Sequence, residues 1–155
     1  QIGSCRQLYE KLNHKRLLAR IKKHEGFSNT AYIDKLGNLT IGYGHLIKKK
    51  DNFEEKIKYT KKQLTKVFEK DFFIAKNHYD KYFLGNNFPE NVKEVLIEMI
   101  FQMGIQNILK FRKMLKAIKK KDYITASDEM IDSKWYNQTP NRVTILAKII
   151  EKTNV

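Results

Sequence analysis

The chain has 155 residues, 41% of them hydrophobic and 12% aromatic, enough for one domain or two small lobes around a real core and too few for a multi-domain assembly. Its 31 Lys and Arg against 17 Asp and Glu leave a net charge of +14, which points to polyanionic partners: nucleic acid, an anionic membrane face or an acidic cell wall. A single cysteine, Cys5, excludes an internal disulfide framework and any Cys-x-x-Cys zinc or redox motif.

The apolar stretches run only a few residues, well short of the roughly 18 that a spanning helix needs. The chain opens on Gln1 rather than Met, which suggests processing or trimming, so an export signal is expected to lie out of view. Ile2-Gly3-Ser4-Cys5 faintly resembles the site at which bacterial lipoproteins are cut and acylated. No apolar run precedes it, and the plainer reading is a free thiol near a terminus.

In chain order, Leu8, Leu12, Leu17, Leu18 and Ile21 recur among charged residues and predict one amphipathic helix running to Glu25 and stopped by Gly26. Tyr32, Ile33, Leu39, Thr40, Ile41 and Tyr43 flank the turn group Lys35-Leu36-Gly37-Asn38, predicting a hairpin. A polar loop, Lys48 to Asn52, follows. Thr60 with Gln63 forms a capping box for a helix that places Leu64, Val67, Phe68, Phe72, Ala75 and Tyr79 on one face. The segment Leu84 to Pro89 breaks the chain. Beyond it, Val92, Val95, Leu96, Met99, Ile100 and Met103 form the stripe of a central core helix ended by Gly104. Helices are expected over about 107–120, 122–133 and 140–152, the last with Thr139 as N-cap and Pro140 at the first helical position. No repeat of 20–50 residues is present. The expected fold class is α+β, mainly α, in one domain over 1–155. A hairpin lobe (about 22–60) and a helical lobe (about 81–155, with the N-terminal helix) are joined by a helix over about 60–80, with a ligand cleft between the lobes.

Asp34 lies nine positions after Glu25, and Thr40 six beyond that on the returning strand. A hairpin folding back on a helix end can gather an acid, a carboxylate and a hydroxyl, which suits acid-catalysed glycosidic cleavage: one carboxyl protonates the leaving oxygen while the other, ionised, orients water. From spacing alone, a solvated Glu at a helix end, an Asp in a turn and a Thr in a strand are the commoner reading.

The surrounding residues add specificity. His24-Glu25-Gly26, Tyr32, Asp34, Gly37 and the run Leu39 to Leu46 resemble the catalytic region of the T-even phage-type lysozymes, glycoside hydrolase family 24. Phe101-Gln102-Met103-Gly104 and the run Ser133 to Arg142 resemble the same family's blocks from the larger lobe, in the same order. The resemblance implies that Glu25 is the general acid, that Asp34 and Thr40 hold the attacking water, and that the anomeric centre of muramic acid is inverted. The two carboxyls should then stand about 6.5–9.5 Å apart. It also implies that His45 pairs with Asp71 and that Arg142 contacts the general acid. Independently of the family, Asp71 interrupts an apolar helix face, where a carboxylate is costly unless paired. Leu46, Phe101, Gln102, Trp135, Asn137 and Gln138 match substrate-binding positions, although packing is the first expectation for Trp135 and the default for Leu46 and Phe101.

The chain departs from the family in several places. The stretch from His45 to Thr60 is about a dozen residues short, which should open the cleft. About a dozen extra residues precede the expected start, where Leu8, Tyr9 and Leu12 are expected to replace lost core. The acidic residue before the general acid is His24 here, and its arginine partner is Ile145. A substrate glutamate reads as Leu36, and two sugar-contacting positions read as Met114 and Glu129. The end at Val155 leaves the last helix less to pack against, so a melting temperature below about 65 °C is expected.

The implied activity is that of a lysozyme, a peptidoglycan muramidase cutting the β-1,4 bond between N-acetylmuramic acid and N-acetylglucosamine. No cofactor and no metal are expected. Bacterial peptidoglycan and the anionic envelope are the expected partners, with no nucleic acid, for a monomer acting on the wall in the periplasm or outside the cell. A wall-binding module with weak or no turnover is the alternative. A cationic membrane-active or nucleic-acid-binding protein ranks lower, because the lysines spread over every helix and no groove-reading motif is visible.

Overall fold

Along the chain, the helical periodicities and the turn residues between them resolve into nine α-helices and three strands among the described residues. The structure is a computed structural model that describes the backbone of residues 2–54 and 56–154 and the side chains of 5–54 and 56–154. The expectations on Gln1, on the side chains of Ile2 to Ser4 and on Val155 fall outside it. The fold class is α+β, mainly α. Two compact units divide the chain, Gln1–Ile74 and Ala75–Val155.

The first unit begins with α1 (Ile2–Asn13) and α2 (Lys15–Glu25), where one helix was expected; the break falls at His14, whose φ of −119° is not helical. Leu17 and Ile21 are fully buried, but Leu8, Tyr9 and Leu12 are 55%, 64% and 56% exposed. They do not replace lost core. At about 100° per residue, positions nine apart lie on opposite sides of a helix, so even an unbroken helix would not put Leu8 and Leu17 on one face. Among the described side chains of α1 the buried one is Glu10, and His14 just after the helix is buried as well; the His14 ring lies 5.7 Å from Phe72.

Gly26 ends α2 at a φ of 73°, its amide donating to the Lys22 carbonyl at 3.0 Å. The sheet has the order β1 (Ser28–Ile33), β2 (Leu39–Gly42), β3 (His45–Leu46), all antiparallel. Tyr32 faces Thr40 and Ile33 faces Leu39, with an irregularity between Ser28 and Tyr32. The short segment before α3 packs closely: Phe53 and Tyr59 meet edge to face at 4.9 Å, and the Tyr59 amide donates to the Asn29 carbonyl at 2.9 Å. The Thr60 amide donates to Gln63 at 2.8 Å and the Gln63 amide to the Thr60 hydroxyl at 3.1 Å, the expected capping box of α3 (Lys61–Phe83). Tyr43 packs between Phe27 and Phe68, at 4.9 and 5.2 Å.

The second unit is built on α4 (Glu90–Met103), whose predicted stripe from Val92 to Ile100 is buried, and which Gly104 ends. The same helix also buries Glu94 and Glu98. The three expected later segments appear as α5 (Ile105–Ile108) with α6 (Arg112–Lys119), α7 (Tyr123–Ile131) and α9 (Pro140–Glu151), and a short helix that was not expected, α8 (Lys134–Gln138), stands before the last. Pro140 opens α9 as expected, but Thr139 does not cap it with its side chain. That hydroxyl instead donates to the Trp135 carbonyl at 3.4 Å and accepts from Gln102 at 3.3 Å. Asn91 on α4 donates to the Ile149 carbonyl and to Thr153, fastening the end of the chain. Among the described residues, no helix is long and apolar enough to cross a membrane.

Candidate active site

In the first unit the β1–β2 turn is organised by the Asp34 side chain. Its Oδ1 accepts from the amides of Leu36 (2.9 Å) and Asn38 (2.8 Å). That turn chemistry leaves Oδ2, toward which the Thr40 hydroxyl is directed at 3.5 Å. Thr40 is 2% exposed, and its hydroxyl makes its shorter contact, 3.0 Å, with the Asn38 carbonyl. The Asn38 carbonyl is thus the nearer acceptor for the Thr40 hydroxyl, and Oγ1 stands beside a carboxylate oxygen that is not tied into the turn.

Glu25 is the half-buried last residue of α2. Its carboxyl lies against the Cα of Gly44, a residue with φ of 76° in the β2–β3 turn: a Cβ there would collide with Glu25 Oε1. Tyr32 connects the two acids. It sits opposite Thr40 in the ladder and so projects from the same face of the sheet. Burial, then the negative charges of Glu25 and Asp34, raise the pKa of its phenol above the ordinary tyrosine value. The phenol therefore stays protonated, a neutral donor beside two carboxyls.

His45 on β3 is held between two acids, Nδ1 donating to Asp71 Oδ2 at 2.7 Å and Nε2 donating to Asp51 Oδ2 at 3.0 Å. Two carboxylate acceptors demand a proton on both ring nitrogens. Burial by itself would lower the histidine's pKa, but the hydrogen bonds and charges of Asp71 and Asp51 outweigh it and hold the pKa above the usual value. Asp51 is further fixed by the Lys48 amide at 2.7 Å; against its own desolvation, that bond and His45 keep its pKa low. Leu46, next along β3, is 48% exposed.

The other sequence-nominated residues lie in the second unit. Trp135 is 5% exposed, so packing comes first for it, and its indole donates to Gln102 Oε1 at 2.9 Å. The Gln102 amide thus links α4, α8 and Thr139, and both its ends are used within the protein. Phe101 is half-buried, while Asn137 and Gln138 are exposed at the end of α8. Arg142 donates from Nε to Glu98 Oε2 at 2.9 Å, with Glu98 wholly buried. Met114 and Glu129, the altered sugar-contacting positions, line one open groove of about 370 Å³ with Phe111 and Ser133; Met114 is 1% exposed and forms its floor.

Three residues beside these sites escaped sequence reasoning. Asp51 was legible only as part of a polar loop, although its spacing from Lys48 suits a turn cap. Glu98 interrupts the apolar run from Val95 to Phe101, although it stands off the stripe that the periodicity marks. Gly44 stood within the family-like run Leu39 to Leu46 without a role, because its close approach to Glu25 exists only after folding. Among the described residues, no group of three or more His, Cys, Asp or Glu is placed to hold a metal ion.

The profile of the family described as Phage lysozyme matches residues 22–149. Two proteins of Dictyostelium discoideum, probable T4-type lysozymes 2 and 1, are 35% and 34% identical, each alignment covering 84% of this chain and 91% of the relative. The pre-baseplate central spike protein Gp5 of Enterobacteria phage T4 is 29% identical over 87% of this chain and 27% of its own length.

Proposed function

The chain belongs to the phage lysozyme family of glycoside hydrolases, and on that premise we propose that it is an inverting muramidase acting on peptidoglycan in the bacterial cell wall, outside the cytoplasm. Glu25 is the general acid. Asp34 and Thr40 hold the water. The observation that carries this reading is the division of labour within Asp34, with one oxygen committed to the turn and the other beside Thr40. A water donating one hydrogen to Asp34 Oδ2 and the other to Thr40 Oγ1 keeps a lone pair for the anomeric carbon. As the C–O bond to the leaving sugar breaks, Glu25 gives its proton to the glycosidic oxygen and Asp34 takes one from the water. Attack on the face opposite the leaving group inverts the centre. The polar groups of Asn137 and Gln138 in the second unit are suited to hydrogen-bond sugar or stem peptide.

Nuclear magnetic resonance of freshly cleaved glycan tests the mechanism. Inversion at a β-linkage releases the α-anomer first; initial release of the β-anomer excludes this role for Asp34. Glu25→Gln should lower the release of reducing ends by at least about 100-fold while leaving the circular dichroism unchanged. Full activity in that variant would remove Glu25 from the chemistry. Retention of the wild-type protein on insoluble wall with no new reducing ends would favour the binding module.

A further inference from the structure

Helix α1 is amphipathic in the inverted sense. Cys5, Leu8, Tyr9 and Leu12, at i, i+3, i+4 and i+7, form a continuous stripe, and all four are exposed. The one carboxylate of the helix, Glu10, is buried instead, along with His14 in the following turn. Such a stripe serves no purpose for packing within the chain. Contiguous exposed apolar surface on a folded domain marks a place of contact.

The charge around the stripe selects the partner. On the helical wheel it is bordered by Arg6 on one edge and Lys11 on the other. Leu8 and Lys11 also line a shallow groove with Lys66, Lys70 and Phe73 of α3. The one acid in that groove, Glu69, is paired with Lys11 at 2.6 Å. With Lys11 matched by Glu69, Arg6, Lys66 and Lys70 leave the surroundings of the ridge basic, the arrangement of helices that lie in the headgroup region of an anionic bilayer, side chains in the acyl boundary and cations among phosphates. Stripe-to-stripe pairing of two copies would bring these cations face to face.

We propose that α1 is an interfacial anchor that docks the protein on anionic lipid bilayers through Cys5, Leu8, Tyr9 and Leu12. This surface is separate from the residues assigned to glycan hydrolysis, and the two activities are separable. The test is co-sedimentation of the full chain with vesicles of phosphatidylcholine, with and without phosphatidylglycerol. Binding is expected only with phosphatidylglycerol, is expected to weaken with added salt, and should fall by at least about tenfold in the double variant Leu8→Glu, Leu12→Glu. Hydrolysis of peptidoglycan by that variant should equal that of the wild type, which also reports that it is folded. A polarity-sensitive fluorophore on Cys5 should shift to the blue on the anionic vesicles. Three results would overturn the proposal: no binding of the wild type to phosphatidylglycerol vesicles, equal binding by the double variant, or a wild-type dimer in sedimentation velocity that the double variant dissolves, which would assign the stripe to a second copy.

Discussion

Gly44 shows how much of an active site can depend on an atom that is missing. Its positive φ and the Glu25 carboxyl against its Cα leave no room for a methyl group. Gly44→Ala should cost about 1–2 kcal/mol from the backbone alone and should lower kcat by up to about 100-fold through displacement of Glu25; urea titration and initial rates check both. In the second unit the Arg142–Glu98 pair is a buried ion pair. Arg142→Met leaves wholly buried Glu98 without this cation, and a loss of about 3–5 kcal/mol is expected in chemical unfolding. Replacing Glu98 by Met as well should recover most of it. If the double variant is no more stable than the single one, the pair is not what Arg142 contributes.

Among the elements, the segment from β3 to α3 depends on His45. The folded pKa of this histidine is raised, so its bridge between Asp71 and Asp51 stabilises fully below the unfolded pKa of about 6.5. That contribution is lost as pH rises through the folded value. Unfolding midpoints should therefore fall as pH rises past about 6.5 and through the folded value, and the fall should be smaller in Asp51→Asn. An identical pH profile in that variant would show that Asp51 carries none of the effect. Asp71 was legible in the sequence, because a carboxylate on an apolar helix face demands a partner. The clasp by Asp51 was not legible, since a loop aspartate carries no periodic signal. Nor was the exposure of α1: leucines spaced four and then five apart resemble a single stripe until the helix is turned through nine residues.

At the scale of the whole molecule, we propose that the net charge of +14 acts on approach to an anionic envelope rather than on bond cleavage. From about 0.1 to 1 M salt the Debye length contracts from roughly 10 to 3 Å. Hydrolysis of insoluble wall should slow markedly over that range, while cleavage of a short soluble glycan stays nearly flat. Equal salt dependence of the two would assign the charge another role.

By itself the sequence determined the fold class, the family and the residues nominated for chemistry. Those properties are written in local periodicity, in the Thr60–Gln63 cap and in the spacing of Glu25, Asp34 and Thr40, and each depends on neighbours close along the chain. Only the tertiary structure decided how those residues are held. It placed Gly44 against Glu25, divided the two oxygens of Asp34 between turn and Thr40, gave His45 a second acid and turned Leu8 and Leu12 outward. The physical reason is common to all four: each is a question of which way a side chain points after the chain has folded. Burial and hydrogen-bond partners are then chosen between positions distant or differently phased in sequence, and composition and spacing do not contain that choice.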